Sequence, residues 1–273
     1  MALLYLLQDI ATHRHTTYKI GVAIVDHCIR PESKDEVLWL QHQVEELGLP
    51  FYSASFDVPR LSKEYKKSEE TIGRQVRYQW LNEIAQSEGY DYIAVAHHKD
   101  DQAESILAHL IRGTGLKGLT GMAVVSNEYD VPVIRPLLDV TKAELLAYLA
   151  DKKLTYCIDS TNDDVRYQRN RIRHRIIPEL EAVNPAVVDA IVRLGSSVNE
   201  DVMVISDLTA RTFDKLVSIG DDEVRISRRA LRQEPLAIQR RLWQRLVSTI
   251  DPELMLTSAH QEQLLDIVNT GEK

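Results

Sequence analysis

Cysteine is scarce in this sequence: Cys28 and Cys157 are the two cysteines in 273 residues, and no CxxC spacing occurs. This composition indicates neither a disulfide framework nor a cysteine-bound zinc site. No apolar run approaches the roughly 18 residues that a membrane-spanning helix needs, and no secretory segment is visible. The net charge of −8 argues against a uniformly basic nucleic-acid-binding protein, but it leaves local basic patches open. We therefore expect a cytoplasmic protein with reduced thiols and no membrane partner.

Short apolar segments alternate with helix-forming segments through the first half of the chain. Strands are predicted at residues 20–25, 50–56, 92–96 and 131–134, and helices at 33–47, 71–87 and 141–149. The 33–47 helix is expected to begin at an N-cap serine, Ser33, with Glu36 three residues later, and Thr141 with Glu144 repeats this capping-box pattern. The alternation predicts an α/β fold with a doubly wound, mainly parallel sheet. A small, mostly helical domain follows, and the predicted boundaries are 1–195 and 196–273.

The segment 92–115, YIAVAHHKDDQAESILAHLIRGTG, concentrates the polar residues of chemical interest. A buried strand is predicted to end at a cluster of two histidines and two aspartates: His97, His98, Asp100 and Asp101. Ligands in open α/β sheets bind where strands end and helices begin. Asp101 and Glu104 are three residues apart, so their carboxylates share one face of the following helix. A capping box explains these two acids alone, but the crowding of the turn favours a functional site.

A second concentration of charge is the basic run at residues 166–175, RYQRNRIRHR. A solvated helix face accounts for some of these arginines. Their interleaving with a tyrosine and an asparagine favours contacts with phosphate groups. Arg74 and Arg77 form a smaller basic pair, three residues apart on the predicted helix at 71–87.

Several longer motifs in this sequence resemble those of one enzyme family. They are VDHCIRPES at 25–33, RxxRY at 74–78, AHHKDDQAESILAHLIRGTGLKGLTGM at 96–122, IRPLL at 134–138 and the DSTN…YxRNRIR run at 159–173. In this order they resemble the tRNA(Ile)-lysidine synthases, which belong to the N-type ATP pyrophosphatases, or PP-loop proteins. The resemblance implies a doubly wound sheet with an attached small helical domain that contacts tRNA.

The resemblance also implies a reaction with ATP and Mg²⁺. ATP adenylates the C2 oxygen of the wobble cytidine in the CAU anticodon of tRNA(Ile), and pyrophosphate leaves. The ε-amine of free L-lysine then attacks C2, AMP leaves, and lysidine remains.

Site residues follow from the same resemblance. The lysine-binding carboxylates are expected to be Asp101 and Glu104, one of which could accept a proton from the amine. With them, the expected catalytic residues are Arg77 and Arg112, which suit phosphate or developing negative charge. The expected ATP-binding residues are His27, Arg30, Arg74 and Arg77. The expected tRNA-binding residues are Arg166, Arg169, Arg171 and Arg173. No residue is assigned to a metal.

One departure from the family pattern is the absence of an SGGxDS phosphate loop. The segment MALLYLL at residues 1–7 resembles the helix that follows this loop, so we expect that the first strand and the loop are missing and that ligation is impaired. Two alternatives stay open: a non-catalytic tRNA-binding remnant, and another PP-loop tRNA-modifying enzyme such as the thiolating relatives. The thiolating relatives usually carry CxxC cysteines. The oligomeric state also stays open, a homodimer among the options.

Overall fold

The computed structural model describes residues 1–14, 18–157, 168–220, 223–251, 254 and 256–270. The chain divides into two compact units, the first comprising Met1–Gly113 and Gly121–Val192 and the second Thr114–Thr120 and Arg193–Lys273. Thr114–Thr120 therefore groups with the second unit, whereas the sequence analysis kept it within residues 1–195. The catalytic and tRNA-contacting roles predicted for the two domains stay predictions.

Helices and short strands alternate along the first unit. Its strands are β1 Val22–Asp26, β2 Phe51–Ser55, β3 Ile93–Ala94, β4 Val125–Ser126 and β5 Val133–Ile134. Up to residue 183 the α-helices are α1 Ala2–His13, α2 Ser33–Glu46, α3 Val58–Tyr65, α4 Glu69–Glu88, α5 Lys99–Ile111, α6 Leu116–Leu119, α7 Lys142–Asp151, α8 Gln168–Arg171 and α9 Ile177–Val183. A π-helical turn, Ile172–Ile176, joins α8 to α9, and α6 belongs to the second unit.

The strands pair mainly in parallel, as predicted. β1 pairs with β2, with Val22 opposite Phe51, and β3 pairs with β5, with Ile93 opposite Val133. β4 runs antiparallel to β5; it was not predicted, because two residues carry too little strand pattern. A cavity of about 340 Å³ lies beside these pairs and is lined by residues of both β1 and β3. The α/β fold class is confirmed, with a smaller sheet than the sequence suggested.

Helix starts differ from the sequence pattern at the two places that matter for the site. Ser33 is the first residue of α2 and not its N-cap; the N-cap is Glu32, which makes no side-chain capping bond. α5 begins at Lys99 with His98 as N-cap, so Asp101 lies in the first turn and accepts the His98 N–H at 3.0 Å. The alternative in which Asp101 and Glu104 form a capping box does not hold, because Asp101 is the third residue of α5 and pairs with His98. The Thr141–Glu144 capping box of α7 is confirmed.

Separate apolar clusters hold the helices of the first unit against its strands. Tyr78 and Ala85 of α4 pack with Ile93, Val131 and Val133 around β3 and β5. A second cluster joins α5 to the arginine-bearing segment, through Leu107, Ile172 and Ile177. This packing fixes the basic run against the helix that carries Asp101 and Glu104.

The second unit is a helical assembly with one β-hairpin. Its elements are α10 Val187–Leu216, most of which lies in this unit, β6 Val217–Ile219, β7 Val224–Ile226, α11 Arg228–Leu231, α12 Leu236–Ile250 and α13 Ser258–Thr270. Leu242 and Leu246 of α12 enter its core, with Trp243 packed against it, whereas Leu236 at the start of this helix is exposed. In the described part of the chain, no helix is both long and apolar enough to cross a membrane.

Candidate functional site

A cavity of about 410 Å³ opens in the first unit beside the carboxyl end of β1. One part of its wall is apolar: Ile24, Val25, Ile29 and Val37. Another part is cationic, with Arg30, Arg74, Arg77 and Arg169, and a third part is acidic, with Asp26, Glu36, Glu69 and Glu70. Small-molecule pockets in proteins fall in this range of volume and combine apolar walls with a few polar groups. The cavity therefore has the size and chemistry for a ligand with a flat apolar part and an anionic part.

The loop after β1 is held by Asp26, which is 4% exposed. Its carboxylate accepts hydrogen bonds from the Cys28 N–H at 2.8 Å and from the Ser33 hydroxyl at 2.6 Å. Burial opposes ionisation, but these two donors outweigh it and hold the pKa of Asp26 below its usual value. The fixed loop places His27 and Arg30 in the cavity wall. His27 and Arg30 were predicted from the sequence and Asp26 was not, although it stands directly after the strand predicted at residues 20–25.

His27 and His97 line the cavity as neutral imidazoles. Burial, followed by the positive charge of Arg77, lowers the pKa of His27. Burial also lowers the pKa of His97, to about 4, and the neighbouring arginines add to the effect. The Nδ1 atoms of both rings are buried without a hydrogen-bond partner in the described part of the protein. Such orphaned ring nitrogens fit a ligand that brings its own donors or acceptors.

The arginines of the wall crowd like charges together. The guanidinium groups of Arg74 and Arg77 lie 4.5 and 5.5 Å from the centre of the buried Tyr78 ring, where the ring face attracts cations. Burial, together with the charges of Arg74 and Arg169, lowers the pKa of Arg77. An anion in the cavity would relieve this repulsion, and arginine binds phosphate through paired hydrogen bonds.

Beside this cavity, two acids of α5 and two arginines of the basic run form an ion cluster: Asp101, Glu104, Arg169 and Arg173. Arg169 donates from Nε to Glu104 Oε2 at 2.8 Å and from Nη2 to Asp101 Oδ1 at 2.7 Å. Arg173 donates from Nε to Glu104 Oε1 at 2.6 Å, and from Nη2 to Glu104 Oε2 at 3.0 Å and Asp101 Oδ1 at 3.1 Å. Glu104 is 1% exposed, so its charge depends on this pairing.

Helical spacing explains how the ion cluster assembles. Asp101 and Glu104 are three residues apart on α5, and Arg169 and Arg173 are four residues apart on the facing segment, so each pair lies on one helix face. Ile172, between the arginines, is 1% exposed and packs on Leu107 of α5. The structure thus joins residues that the sequence analysis assigned to two different substrates.

A family model described as a PP-loop domain matches residues 1–180, which is more than half of the chain. The chain belongs to the PP-loop family.

Curated proteins named tRNA(Ile)-lysidine synthase are among the relatives of this PP-loop protein. The one from Porphyromonas gingivalis (strain ATCC BAA-308 / W83) is 40% identical over 162 residues, which is 59% of this chain and 35% of the relative. The one from Caldanaerobacter subterraneus subsp. tengcongensis is 34% identical over 254 residues, 92% of this chain and 54% of the relative. The chain thus spans about half the length, or less, of these relatives. The resemblance drawn from the motifs is confirmed.

Among solved structures, the U34-tRNA thiolase NcsA from Methanococcus maripaludis, with its iron–sulfur cluster, has a similar PP-loop fold. The TM-score is 0.58 at 21% identity, and the match covers 73% of this chain and 67% of that chain. At this identity the likeness concerns the fold alone.

Two further predicted residues of this PP-loop protein, Arg112 and Arg171, make no contact with the carboxylates of the ion cluster in the described part of the chain. Arg112 follows the last turn of α5, about 16 Å along the helix axis from Asp101, and it does not line the cavity. Arg171 is exposed, since it lies on the opposite face from Arg169 and Arg173. Arg166 lies outside the described residues. The structure does not bring Arg112 to the site, and its catalytic role stays a prediction.

Proposed function

We propose that this chain carries the catalytic site that joins L-lysine to C2 of the wobble cytidine in tRNA(Ile) with a CAU anticodon. The observation that carries this proposal is the arrangement of the site: a cavity with a cationic wall lies directly beside a buried pair of carboxylates. The phosphates of ATP need the arginines of the cavity, and the ammonium group of lysine needs the carboxylates. Relatives at 34–40% identity are named for this product.

In the first step the cavity would hold ATP. The apolar wall suits the adenine ring, and the orphaned nitrogens of His27 and His97 suit its polar edge or the ribose. Arg74 and Arg77 would bind the phosphates. The C2 oxygen of the cytidine attacks the α-phosphorus, the bond to the β-phosphate oxygen breaks, and pyrophosphate leaves.

In the second step Asp101 and Glu104 would receive the side chain of lysine. The amine must lose a proton before its nitrogen can attack C2, and a carboxylate within hydrogen-bond distance can accept that proton. The new C–N bond forms, the bond from C2 to the adenylate oxygen breaks, and AMP departs. The carboxylates therefore bind and orient the nucleophile.

A magnesium ion would accompany the nucleotide. Among the described residues, no three histidine, cysteine or acidic side chains are grouped to hold a metal. Magnesium bound to a nucleotide needs one or two carboxylates besides the phosphates. Asp26 and Glu36 of the cavity wall already accept hydrogen bonds within the protein. Glu69 and Glu70 of the cavity wall would thus be the carboxylates that hold the ion. The bound ion would neutralise phosphate charge.

A second candidate function is tRNA binding without ligation. It is favoured by one observation: both carboxylates already pair with arginines, so no acceptor stands open for lysine. In this case the exposed Arg171 and the neighbouring basic run would contact the tRNA backbone, and the ion cluster would only stabilise the fold.

Lysine incorporation distinguishes the two functions. Labelled L-lysine, Mg-ATP and a tRNA(Ile) transcript with a CAU anticodon should yield labelled tRNA with release of AMP in equal amount. A transcript with a GAU anticodon lacks the cytidine and is the control. The same assay on a version extended by a strand and an SGGxDS loop tests the expectation that the loop is required. tRNA binding without incorporation in either version would favour the second candidate.

Asp101→Asn tests the lysine assignment in whichever version is active. We expect the KM for lysine to rise at least about 10-fold, since one buried charge contact is lost, while the KM for ATP changes little. Asp151→Asn is the control: it removes the same charge from an exposed position at the end of α7. An equal lysine KM in Asp101→Asn and the wild type would exclude Asp101 as a lysine contact.

A further inference from the structure

The carboxylate pair Asp101 and Glu104 is saturated in this structure. Each of its four oxygens accepts at least one hydrogen bond, from Arg169, Arg173 or the His98 N–H. Two carboxylates face two guanidinium groups, so the ion cluster is electrically balanced. A lysine ammonium added to this arrangement would leave one buried positive charge unpaired, which is strongly unfavourable. One of the arginines must therefore leave before an ammonium group can bind.

The two arginines differ in how firmly they are held. Arg173 donates three hydrogen bonds to the carboxylates and its side chain is 21% exposed. Arg169 donates two, and its side chain is 40% exposed. Fewer bonds are lost and more hydration is already present when Arg169 leaves. Arg169 is therefore the less firmly held member of the ion cluster.

An alternative position for Arg169 lies next to it. Arg169 lines the 410 Å³ cavity as well as contacting the carboxylates, and Arg74 and Arg77 line the same cavity. With no anion present, Asp101 and Glu104 are its strongest partners and hold the pKa of Arg169 above its usual value despite burial. A phosphate in the cavity would offer the guanidinium a partner of equal charge and similar geometry.

We propose that Arg169 closes the lysine site until a nucleotide phosphate enters the cavity and draws its guanidinium group away from Asp101 and Glu104. This inference rests on the proposed function, because it takes the carboxylates as the lysine site. Its consequence is an order of binding: nucleotide first, lysine second. The amine then reaches the carboxylates when an adenylate can form beside it. Coupling of this kind is reciprocal, so lysine must raise nucleotide affinity by the same factor.

Equilibrium binding of labelled L-lysine to the full chain tests the inference without any turnover. Wild-type protein without nucleotide should bind lysine weakly, and Arg169→Gln should bind it about 10-fold or more tightly under the same conditions. The gain would show that Arg169 occupies the position of the ammonium group, and a rise in wild-type lysine affinity with nucleotide would show that Arg169 leaves it. Arg175→Gln is the matched control, since it removes an exposed arginine from the same segment and should leave lysine affinity unchanged.

The outcomes separate this inference from the proposed function. If wild type binds lysine with a non-hydrolysable ATP analogue and Mg²⁺, but Arg169→Gln gains nothing without nucleotide, Arg169 is not the closing residue and the lysine site stands. If neither protein binds lysine in any condition, the lysine site itself is wrong.

A direct observation of the side chain covers the case in which Arg169→Gln does not fold. Nuclear magnetic resonance of arginine Nε–H groups in the wild type should show slow hydrogen exchange at both Arg169 and Arg173. With the ATP analogue bound, hydrogen exchange at the Nε–H of Arg169 should become fast, while that of Arg173 should stay slow. Slow hydrogen exchange at both arginines with saturating nucleotide would overturn the proposal.

Discussion

Glu104 is the most buried carboxylate in the described part of the protein, at 1% exposure. A charge in such a position depends on its partners, and Arg169 and Arg173 supply them. We predict that Glu104→Gln lowers the free energy of unfolding by about 3 kcal/mol, because two guanidinium groups lose half of their counter-charge. Urea unfolding followed by circular dichroism measures the loss.

The control for this change is Glu46→Gln, which removes an equal charge from an exposed position on α2. It should change the free energy of unfolding by less than about 0.5 kcal/mol. Similar values for the two variants would mean that the ion cluster contributes no more to stability than a surface pair.

His97 gives the stability of the fold a dependence on pH. The ordinary pKa of histidine is about 6.5, and that of His97 in the folded protein is about 4. Between these values the unfolded chain binds more protons, so the free energy of unfolding falls as the pH drops from about 6.5 to 4. The shift corresponds to about 3 kcal/mol. In His97→Gln the fall over this range should be smaller by that amount.

Denaturant unfolding at a series of pH values measures this slope. His42→Gln is the control, because the side chain of His42 is 69% exposed, and this variant should keep the wild-type slope. A wild-type slope in His97→Gln as well would assign the acid sensitivity to other groups.

At the scale of elements, the segment from α8 to α9 decides which arginines meet the site. Ile172 packs against Leu107 of α5 and thereby directs Arg169 and Arg173 inward, while Arg171 stays exposed. We predict that Ile172→Ala lowers the free energy of unfolding by about 2 to 4 kcal/mol, since it removes a buried side chain and leaves a cavity. It should also weaken the hydrogen bonds of Arg169 and Arg173 to the carboxylates, so that their Nε–H groups exchange faster. Thermal and urea unfolding report the first effect, and hydrogen exchange at the arginine Nε–H groups reports the second.

The matched control is Val183→Ala at the end of α9, where the side chain is 87% exposed. Its free energy of unfolding should stay within about 0.5 kcal/mol of the wild type. An equally small change in Ile172→Ala would show that the arginine segment does not depend on this contact.

At the scale of the whole molecule, net charge and local charge have different consequences. The chain carries −8 overall, so any tRNA contact depends on local arginines. Arg171 is an exposed member of the basic run, so its guanidinium group is open to a phosphate. We predict that Arg171→Gln weakens tRNA binding and reduces the slope of log affinity against log salt by about 1. Filter binding over a salt series measures both.

Arg60→Gln removes an exposed arginine from α3, outside the basic run, and controls for the general loss of charge. Its salt slope should match that of the wild type. If Arg171→Gln also keeps the wild-type slope, Arg171 makes no phosphate contact.

Local sequence patterns determined most of the elements and the family. The capping box of Thr141 and Glu144 starts α7 where it was predicted, because both partners lie within one turn. Five motifs in the right order indicated the PP-loop family, since the residues of each motif lie close together in the sequence. The start of α2 was predicted one residue late, because Ser33 bonds to Asp26, a group that the capping pattern does not specify.

Only the tertiary structure decided which charges neutralise each other. Glu104 and Arg169 are 65 residues apart in the chain, and no local pattern relates them. Sequence analysis consequently assigned the acids to lysine and the arginines to tRNA. Their pairing follows from the packing of Ile172 on Leu107, which leaves a buried carboxylate no nearer partner than these guanidinium groups. Residue types and their helical spacing are thus local properties, whereas the pairing of buried charges depends on how distant helices pack.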